Sequence, residues 1–270
     1  NFRHFKDLSY HFEFNVNNML LMNTKENSDI NFYGKVYGTG NAMLVGNPQE
    51  LQVTAAVTTN RNTNFVYITN ATASAASNQF IKFVDKTPRR FVQDSINVMS
   101  EYDRLQQEME EEESKTDIRL NLLIDATPDA TMKIIMDPIA GDYISGKGSG
   151  NIRTEFFNKG DVKMFGNYRI NQGIYKFSLQ EVIRKDFIIK DGSSITFNGP
   201  PLDATLDIQA SYTVNSASLN DLIPDASKTI TQQPNVKVNC IMNLTGILWR
   251  PNIKLGIELP NERDEIQTLV

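Results

Sequence analysis

Apolar and polar residues alternate along most of the chain. The clearest case is SITFNGPPLDATLDIQASYTV at 194–214, where every even position from Leu202 to Val214 is apolar and every odd position between them is polar. Successive side chains of a β-strand point to opposite faces, so the pattern predicts one long strand with an apolar and a solvated side. At roughly 3.3 Å per residue the strand would span about 43 Å, which is far longer than an ordinary strand.

The same two-residue period predicts further strands in two blocks. Apolar residues alternate around Phe14, Val36 and Val53 in residues 1–84, and around Leu122 and Ile134 at the start of residues 117–270. Turn-forming residues such as SGKGSG at 145–150 and NQG at 171–173 are predicted to join neighbouring strands. Short connections and one polar side per strand predict a mainly antiparallel sheet with a single apolar face.

The pattern changes between the two blocks, at 85–116. Met99, Tyr102, Leu105 and Met109 are spaced by three, three and four residues, which predicts a helix with one narrow apolar stripe. The acidic run EMEEEE at 108–113 is typical of a solvated segment. We therefore predict three parts: an N-terminal β block at 1–84, a helical and acidic insertion at 85–116, and a β domain at 117–270 that continues the same sheet.

Composition narrows the class of function. The 270 residues carry a formal net charge of −5 and no basic tract, which argues against a nucleic-acid partner. Cys240 is the single cysteine, so no internal disulfide can form, and its place in an alternating strand predicts a small buried hydrophobe. No run of 18 apolar residues is present, so we expect any membrane link to lie outside these residues or to be made through a partner.

Candidate catalytic groups are few. His4 and His11 are the only histidines and have no cysteine or carboxylate cluster beside them, so we predict no metal site. Asp203 and Asp207 lie four residues apart on the polar side of the long strand, about 13 Å at strand rise, whereas glycosidases need about 5–9.5 Å between their carboxylates. We predict that the protein is not an enzyme and needs no cofactor, and a carbohydrate-active β-fold enzyme stays as a minor alternative.

The stretch from 166 to 214 carries an ordered series of motifs. It reads GNYRINQGIYKFSLQEVIRKDFIIKDGSSITFNGPPLDATLDIQASYTV, and LTGILWRPNIKLGIELP follows at 244–260. The series closely resembles the C-terminal domain of the TamB family of bacterial envelope proteins, within the wider AsmA-like group, over 119–270. The positions that carry the resemblance are Gly173, Tyr175, Phe177, Phe187, Ile189, Gly192, Ser193, Ile195, Gly199, Pro201, Asp203, Ala204, Leu206, Asp207, Ile208, Ala210, Tyr212, Gly246, Pro251 and Pro260.

The resemblance implies a fold, a location and partners. The family fold is an elongated, curled sheet that forms an open apolar trough, the β-taco. The location is the periplasm of a Gram-negative bacterium, with an anchor in the inner membrane through an N-terminal helix that is not in this sequence. The partner is a BamA-like outer-membrane barrel, TamA or a lipoprotein counterpart. The associated roles are outer-membrane protein assembly, with nascent outer-membrane proteins as further partners, and phospholipid transport between the membranes.

An apolar trough would bind acyl chains without any catalytic group. Each methylene removed from water is worth about 0.8 kcal/mol, so a chain of some sixteen carbons would gain on the order of 10 kcal/mol before ordering costs. A closed β-sandwich that serves as an envelope-spanning spacer is the alternative architecture. The residues predicted to line the lipid groove are Val162, Met164, Tyr168, Ile170, Ala204, Leu206, Ile208, Ala210, Tyr212, Val236, Val238, Cys240, Met242, Leu244, Ile253, Leu255 and Ile257.

Overall fold

The fold is all-β throughout the described residues. A computed structural model describes residues 9–26, 31–69, 116–179, 183–218 and 235–260. These residues form thirteen strands of one curled sheet and a single 3₁₀ turn at Pro201–Asp203. The strands are β1 (Tyr10–Thr24), β2 (Phe32–Gly46), β3 (Glu50–Thr59), β4 (Asn64–Ile68), β5 (Asp117–Ala126), β6 (Thr131–Asp137), β7 (Asp142–Phe157), β8 (Lys163–Leu179), β9 (Ile183–Ile189), β10 (Ser193–Gly199), β11 (Thr205–Ser218), β12 (Asn235–Ile247) and β13 (Arg250–Glu258).

The sequence-based prediction of an all-β class is confirmed, whereas the predicted helix falls outside the described residues. Of the insertion at 85–116, the structure describes only Thr116, so the helical part of that prediction is not tested. Strands of both predicted β blocks lie in the same sheet, because β3 pairs with β5 and β4 pairs with β6. The division of the chain into three parts remains a prediction.

Each of the long strands β2, β7 and β8 pairs along one edge with two shorter strands that lie end to end. β3 and β4 both run antiparallel to β2, β5 and β6 to β7, and β9 and β10 to β8. The pairs β3–β5 and β4–β6 are parallel, the described exceptions to the predicted antiparallel order. Across the curled sheet, β2 is therefore followed by β3 and β4, then by β5 and β6, and then by β7.

The glycine-rich stretches that were predicted to be turns lie inside long strands, so these two predictions are wrong. SGKGSG falls in the middle of β7, and NQG falls in β8, where Asn171 is the extra residue of a β-bulge opposite Lys147 and Gly148. Gly148 is needed inside the strand because a Cβ there would overlap the backbone carbonyl oxygen of Arg169 and would lie 2.9 Å from the ring of Tyr168. Glycine serves here for close packing rather than for chain reversal.

The long strand is present, but it begins later than predicted. Pro201–Asp203 form the 3₁₀ turn, and β11 then runs from Thr205 to Ser218. Pro201 has a fixed φ and no backbone N–H, which suits the first position of the 3₁₀ turn, so the strand starts only after that turn. The alternation within β11 is confirmed, since Leu206, Ile208 and Ala210 are buried while the polar residues Thr205, Asp207 and Gln209 are exposed.

Candidate apolar inner face

The apolar sides of the strands lie on one continuous face, which we call the inner face. Strand register shows this continuity, because residues paired across a sheet point to the same side. One row of register partners crosses seven positions of the sheet: Val16, Gly40, Val57, Ile124, Ile152, Gly166 and Phe197. A second row runs through Phe14, Ala42, Ala55, Leu122, Thr154, Met164 and Gly199. The inner face thus extends from β1 to β10 without a break.

The inner face is closed over β6 to β12. One cluster of buried side chains joins Ile134 on β6 to Leu244 on β12, and Ile195 near its centre is 0% exposed. The described residues contain no second sheet or helical layer that could cover this face. The curled sheet therefore covers its own inner face with its own side chains in this half, which we call the closed half.

Most residues predicted to line a groove lie in this closed half, and the others lie on the neighbouring edge strand β13. Buried members are Tyr168, Ile170, Ala204, Leu206, Ile208, Ala210, Val236, Val238, Met242 and Leu244. Half-buried members are Val162, Met164, Tyr212 and Cys240. Exposed members are Ile253, Leu255 and Ile257, all on β13. The structure brings the members that lie in strands to one face, and lipid binding by that face remains a prediction.

The inner face is open at its N-terminal end, over β1, β2, β3 and β5. Phe12 and Phe14 are 52% and 46% exposed, and their rings lie next to each other with centroids 6.1 Å apart. Their register partners Leu44 and Ala42 are only half-buried. This open half was not among the predicted site residues, although the alternating aromatics of β1 were visible in the sequence. Its exposure depends on how far the sheet curls, which local alternation does not report.

The inner face is exposed again at the C-terminal edge. Leu255 pairs with the buried Met242 but is itself 61% exposed, because β13 has no described strand on its other side. Ile253 and Ile257 on the same side of β13 are exposed as well. β13 thus carries an apolar row beyond the end of the closed half.

Two tyrosines are buried in the closed half. Burial raises the pKa of Tyr168 to about 12, because the phenolate form would lose its hydration. Burial also raises the pKa of Tyr175 strongly, and the nearby carboxylate of Asp142 raises it further. Both side chains are almost fully buried, so both phenols are neutral at physiological pH.

The structure brings no catalytic or metal-binding set together in its described parts. His11 lies exposed beside Glu13, 3.2 Å away, and His4 is outside the described residues. Asp203 in the 3₁₀ turn and Asp207 in β11 are both exposed. Among the described residues no group of three histidine, cysteine or acidic side chains could hold a metal ion. Cys240 is a free thiol packed against the apolar clusters, as the alternation predicted, although it is only half-buried.

Comparison with known proteins identifies the class. The family model of the TamB C-terminal domain matches residues 1–270, and the chain belongs to this family of envelope transport and assembly modules. The family is periplasmic and is associated with a TamA outer-membrane partner. No curated protein sequence matches the chain significantly. Where the structure describes the chain, no helix is long and apolar enough to cross a bilayer.

Proposed function

We propose that this domain carries phospholipid acyl chains along its inner face as part of a TamB-like path between the inner and outer membranes. The observation that supports the proposal most strongly is the open half, where Phe12 and Phe14 expose apolar rings on a face that is buried elsewhere in the same sheet. Acyl chains would enter there and lie against β1, β2, β3 and β5. An N-terminal helix outside this sequence would anchor the protein in the inner membrane.

The proposal assigns different roles to the two halves. The open half forms the trough that holds lipid. The closed half, where the side chains of Leu206 and Ile208 are 1% exposed, leaves no room for an acyl chain unless the sheet opens. We therefore propose that the predicted groove residues of β8, β11 and β12 become lipid contacts only when the curl widens, and that Ile253, Leu255 and Ile257 continue the apolar path at the far edge.

The hydrophobic effect is large enough to hold lipid in an open trough. Each methylene that leaves water contributes about 0.8 kcal/mol, so covering even half of a sixteen-carbon chain would contribute roughly 6 kcal/mol before ordering costs. Bound lipid would also cover side chains such as Phe12 and Leu44, which water otherwise contacts. Neither contribution depends on a headgroup, so the open half would accept diverse phospholipids.

A second function is favoured by the two edge strands. In the described residues β1 pairs only with β2 and β13 only with β12, so each has one edge of unpaired backbone groups. Such edges bind partner strands by β-augmentation. We propose that one of them pairs with a BamA-like barrel, TamA or a lipoprotein counterpart, or with nascent outer-membrane proteins during their assembly.

Lipid analysis of matched variants tests the transport proposal. Phe14→Asp places a charge on the open inner face, and Met43→Asp places one on the opposite face, where Met43 is similarly exposed beside Glu13. We expect protein purified from the periplasm to carry phospholipid that mass spectrometry detects. Phe14→Asp should lose most of it, whereas Met43→Asp should keep it. Equal lipid in the two variants would contradict a lipid site on the inner face.

A further inference from the structure

A cavity of about 370 Å³ opens on the solvated outer face, at the end of the sheet where β6, β7, β8 and β9 meet. The loop at 138–141 forms one wall and contributes Ile139. Lys133, Lys176 and Arg184 also line the cavity, against one carboxylate, Glu26. Three cations around one cavity stand out in a chain whose net charge is −5.

The two lysines lie over one aromatic ring. The Nζ of Lys133 is 4.1 Å from the ring centroid of Tyr143, and the Nζ of Lys176 is 5.7 Å from it. Cation–π contacts hold both ammonium groups at the cavity wall. In the described part of the chain neither lysine forms an ion pair, nor does Arg184. Like charges held near one ring repel each other, and an anion between them would relieve that repulsion.

In the described residues, nearby carboxylates form no ion pair with Lys133, Lys176 or Arg184. Asp137 accepts hydrogen bonds at Oδ1 from the backbone N–H groups of Ile139 and Ala140, and so shapes the loop. Asp142 accepts at Oδ1 from the N–H of Ser178. Asp186 is the register partner of Lys176, but its carboxylate does not approach within ion-pair distance. Glu26 alone faces the three cations from the cavity lining.

We propose that this cavity binds a phosphate group, with Lys133, Lys176 and Arg184 contacting its oxygens. Phosphate esters suit the site because they present several acceptor oxygens and one or two negative charges, and guanidinium groups bind them in a bidentate manner. The apolar side chains of Ile135 and Ile139, also in the lining, would contact the organic part of the ligand. The phosphate could belong to a lipid headgroup or to a soluble phosphate ester. The site is independent of lipid transport because it lies on the opposite face.

Two probes and three variants of the full chain test the proposal. The first probe is inorganic phosphate, whose binding is monitored by the amide chemical shifts of Ile139 and Gly141 in NMR spectra. The second probe is vesicles of phosphatidylglycerol in phosphatidylcholine, whose binding is monitored by flotation at physiological ionic strength. The cavity variant combines Lys133→Gln, Lys176→Gln and Arg184→Gln. The control combines Lys163→Gln, Lys237→Gln and Lys254→Gln, three exposed lysines outside the cavity lining that remove the same charge. Lys176→Gln alone guards against misfolding of the triple variant.

We expect wild type and control to bind at least one probe alike, and the cavity variant to bind at least about tenfold more weakly, since each charged hydrogen-bond partner is worth about a factor of ten. Lys176→Gln should lie between them. Binding to vesicles, with or without binding to phosphate, supports a lipid headgroup as the source, whereas binding to phosphate without binding to vesicles supports a soluble ester. Absence of binding to both probes, or an equal loss in the control, would overturn the proposal.

Discussion

Tyr168 on β8 packs against Gly148 on β7, so closely that no side chain fits at residue 148. A Cβ there would approach the Tyr168 ring to 2.9 Å and would overlap the backbone carbonyl oxygen of Arg169. Tyr168 is 4% exposed and lies in the main buried cluster. The absence of a side chain at Gly148 therefore allows a large aromatic ring to close the interior.

The contact predicts a stability difference between two glycine variants. Gly148→Ala should lower the free energy of unfolding by about 1–3 kcal/mol, because it overpacks a buried site. Gly256→Ala is the matched control, since a Cβ at 256 meets nothing within 4 Å. The control should be neutral or slightly stabilising through the entropy of the unfolded chain. Urea denaturation measures both, and equal midpoints would contradict the packing described for Gly148.

The strands and their faces could be predicted from the sequence, because alternation is a local property of each strand. Phe14, Val53, Leu122 and Ile208 all lie on the inner face, as their spacing indicated. The extent of β7 could not be predicted, since the glycines of SGKGSG resemble turn residues unless the facing Tyr168 is known. The pairing of strands across the sheet could not be predicted either, because it depends on residues far apart in the chain. The parallel pairs β3–β5 and β4–β6 are examples.

The candidate site was predicted only in part for the same reason. Alternation placed Leu206 and Leu255 on one apolar face, but it could not show that the first is sealed and the second exposed. That difference arises from the curl of the whole sheet and from the position of β13 at its edge. The cavity lined by Lys133, Lys176 and Arg184 was not predicted either, because these residues come from three strands and their charges form no cluster in the sequence.

A charge on the inner face should distinguish the closed half from the edge. Ile208→Asp buries a carboxylate that has no partner, so we expect it to cost at least about 3 kcal/mol and to unfold much of the protein. Leu255→Asp, on the same face at the edge, should cost less than about 1 kcal/mol because the carboxylate stays hydrated. Circular dichroism during thermal unfolding reports both. A stable Ile208→Asp variant would show that this half opens readily to water.

The connection from β4 to β5 should have a minimum length. At the start of the connection, the N–H of Thr69 donates a hydrogen bond to the carbonyl of Ile135. At its end, the N–H of Asp117 donates a hydrogen bond to the carbonyl of Gln49. Measured along β7, which runs past both β5 and β6 without a turn, these anchors are about 15 residues apart, which is about 50 Å. Replacing the connection with about 30 Gly/Ser residues should preserve the fold, and about 12 residues cannot span the distance. A cooperative thermal transition with the shorter linker would contradict the parallel pairing.

Stability should fall at high pH because of the two buried tyrosines. Their folded-state pKa values lie above the unfolded value near 10, Tyr168 at about 12. Their contribution is complete below pH 10 and is lost as pH rises towards 12, since the unfolded chain then releases protons that the folded chain retains. Each tyrosine adds a slope of about −1.4 kcal/mol per pH unit in that window. Tyr168→Phe should reduce the slope of the free energy of unfolding against pH, as measured by urea denaturation at several pH values. An unchanged slope would mean that Tyr168 ionises freely in the fold.

Photocrosslinking in the living envelope shows whether phospholipid contacts the open half. A photoreactive phenylalanine analogue would replace Phe14 on the inner face or, as a control, its neighbour Glu13, which points to the opposite face. We expect phospholipid adducts from position 14 and few or none from position 13. Position 208 should give few adducts as well, because Ile208 is sealed in the closed half. Equal labelling at positions 13 and 14, or no lipid at position 14, would mean that the open half does not bind acyl chains.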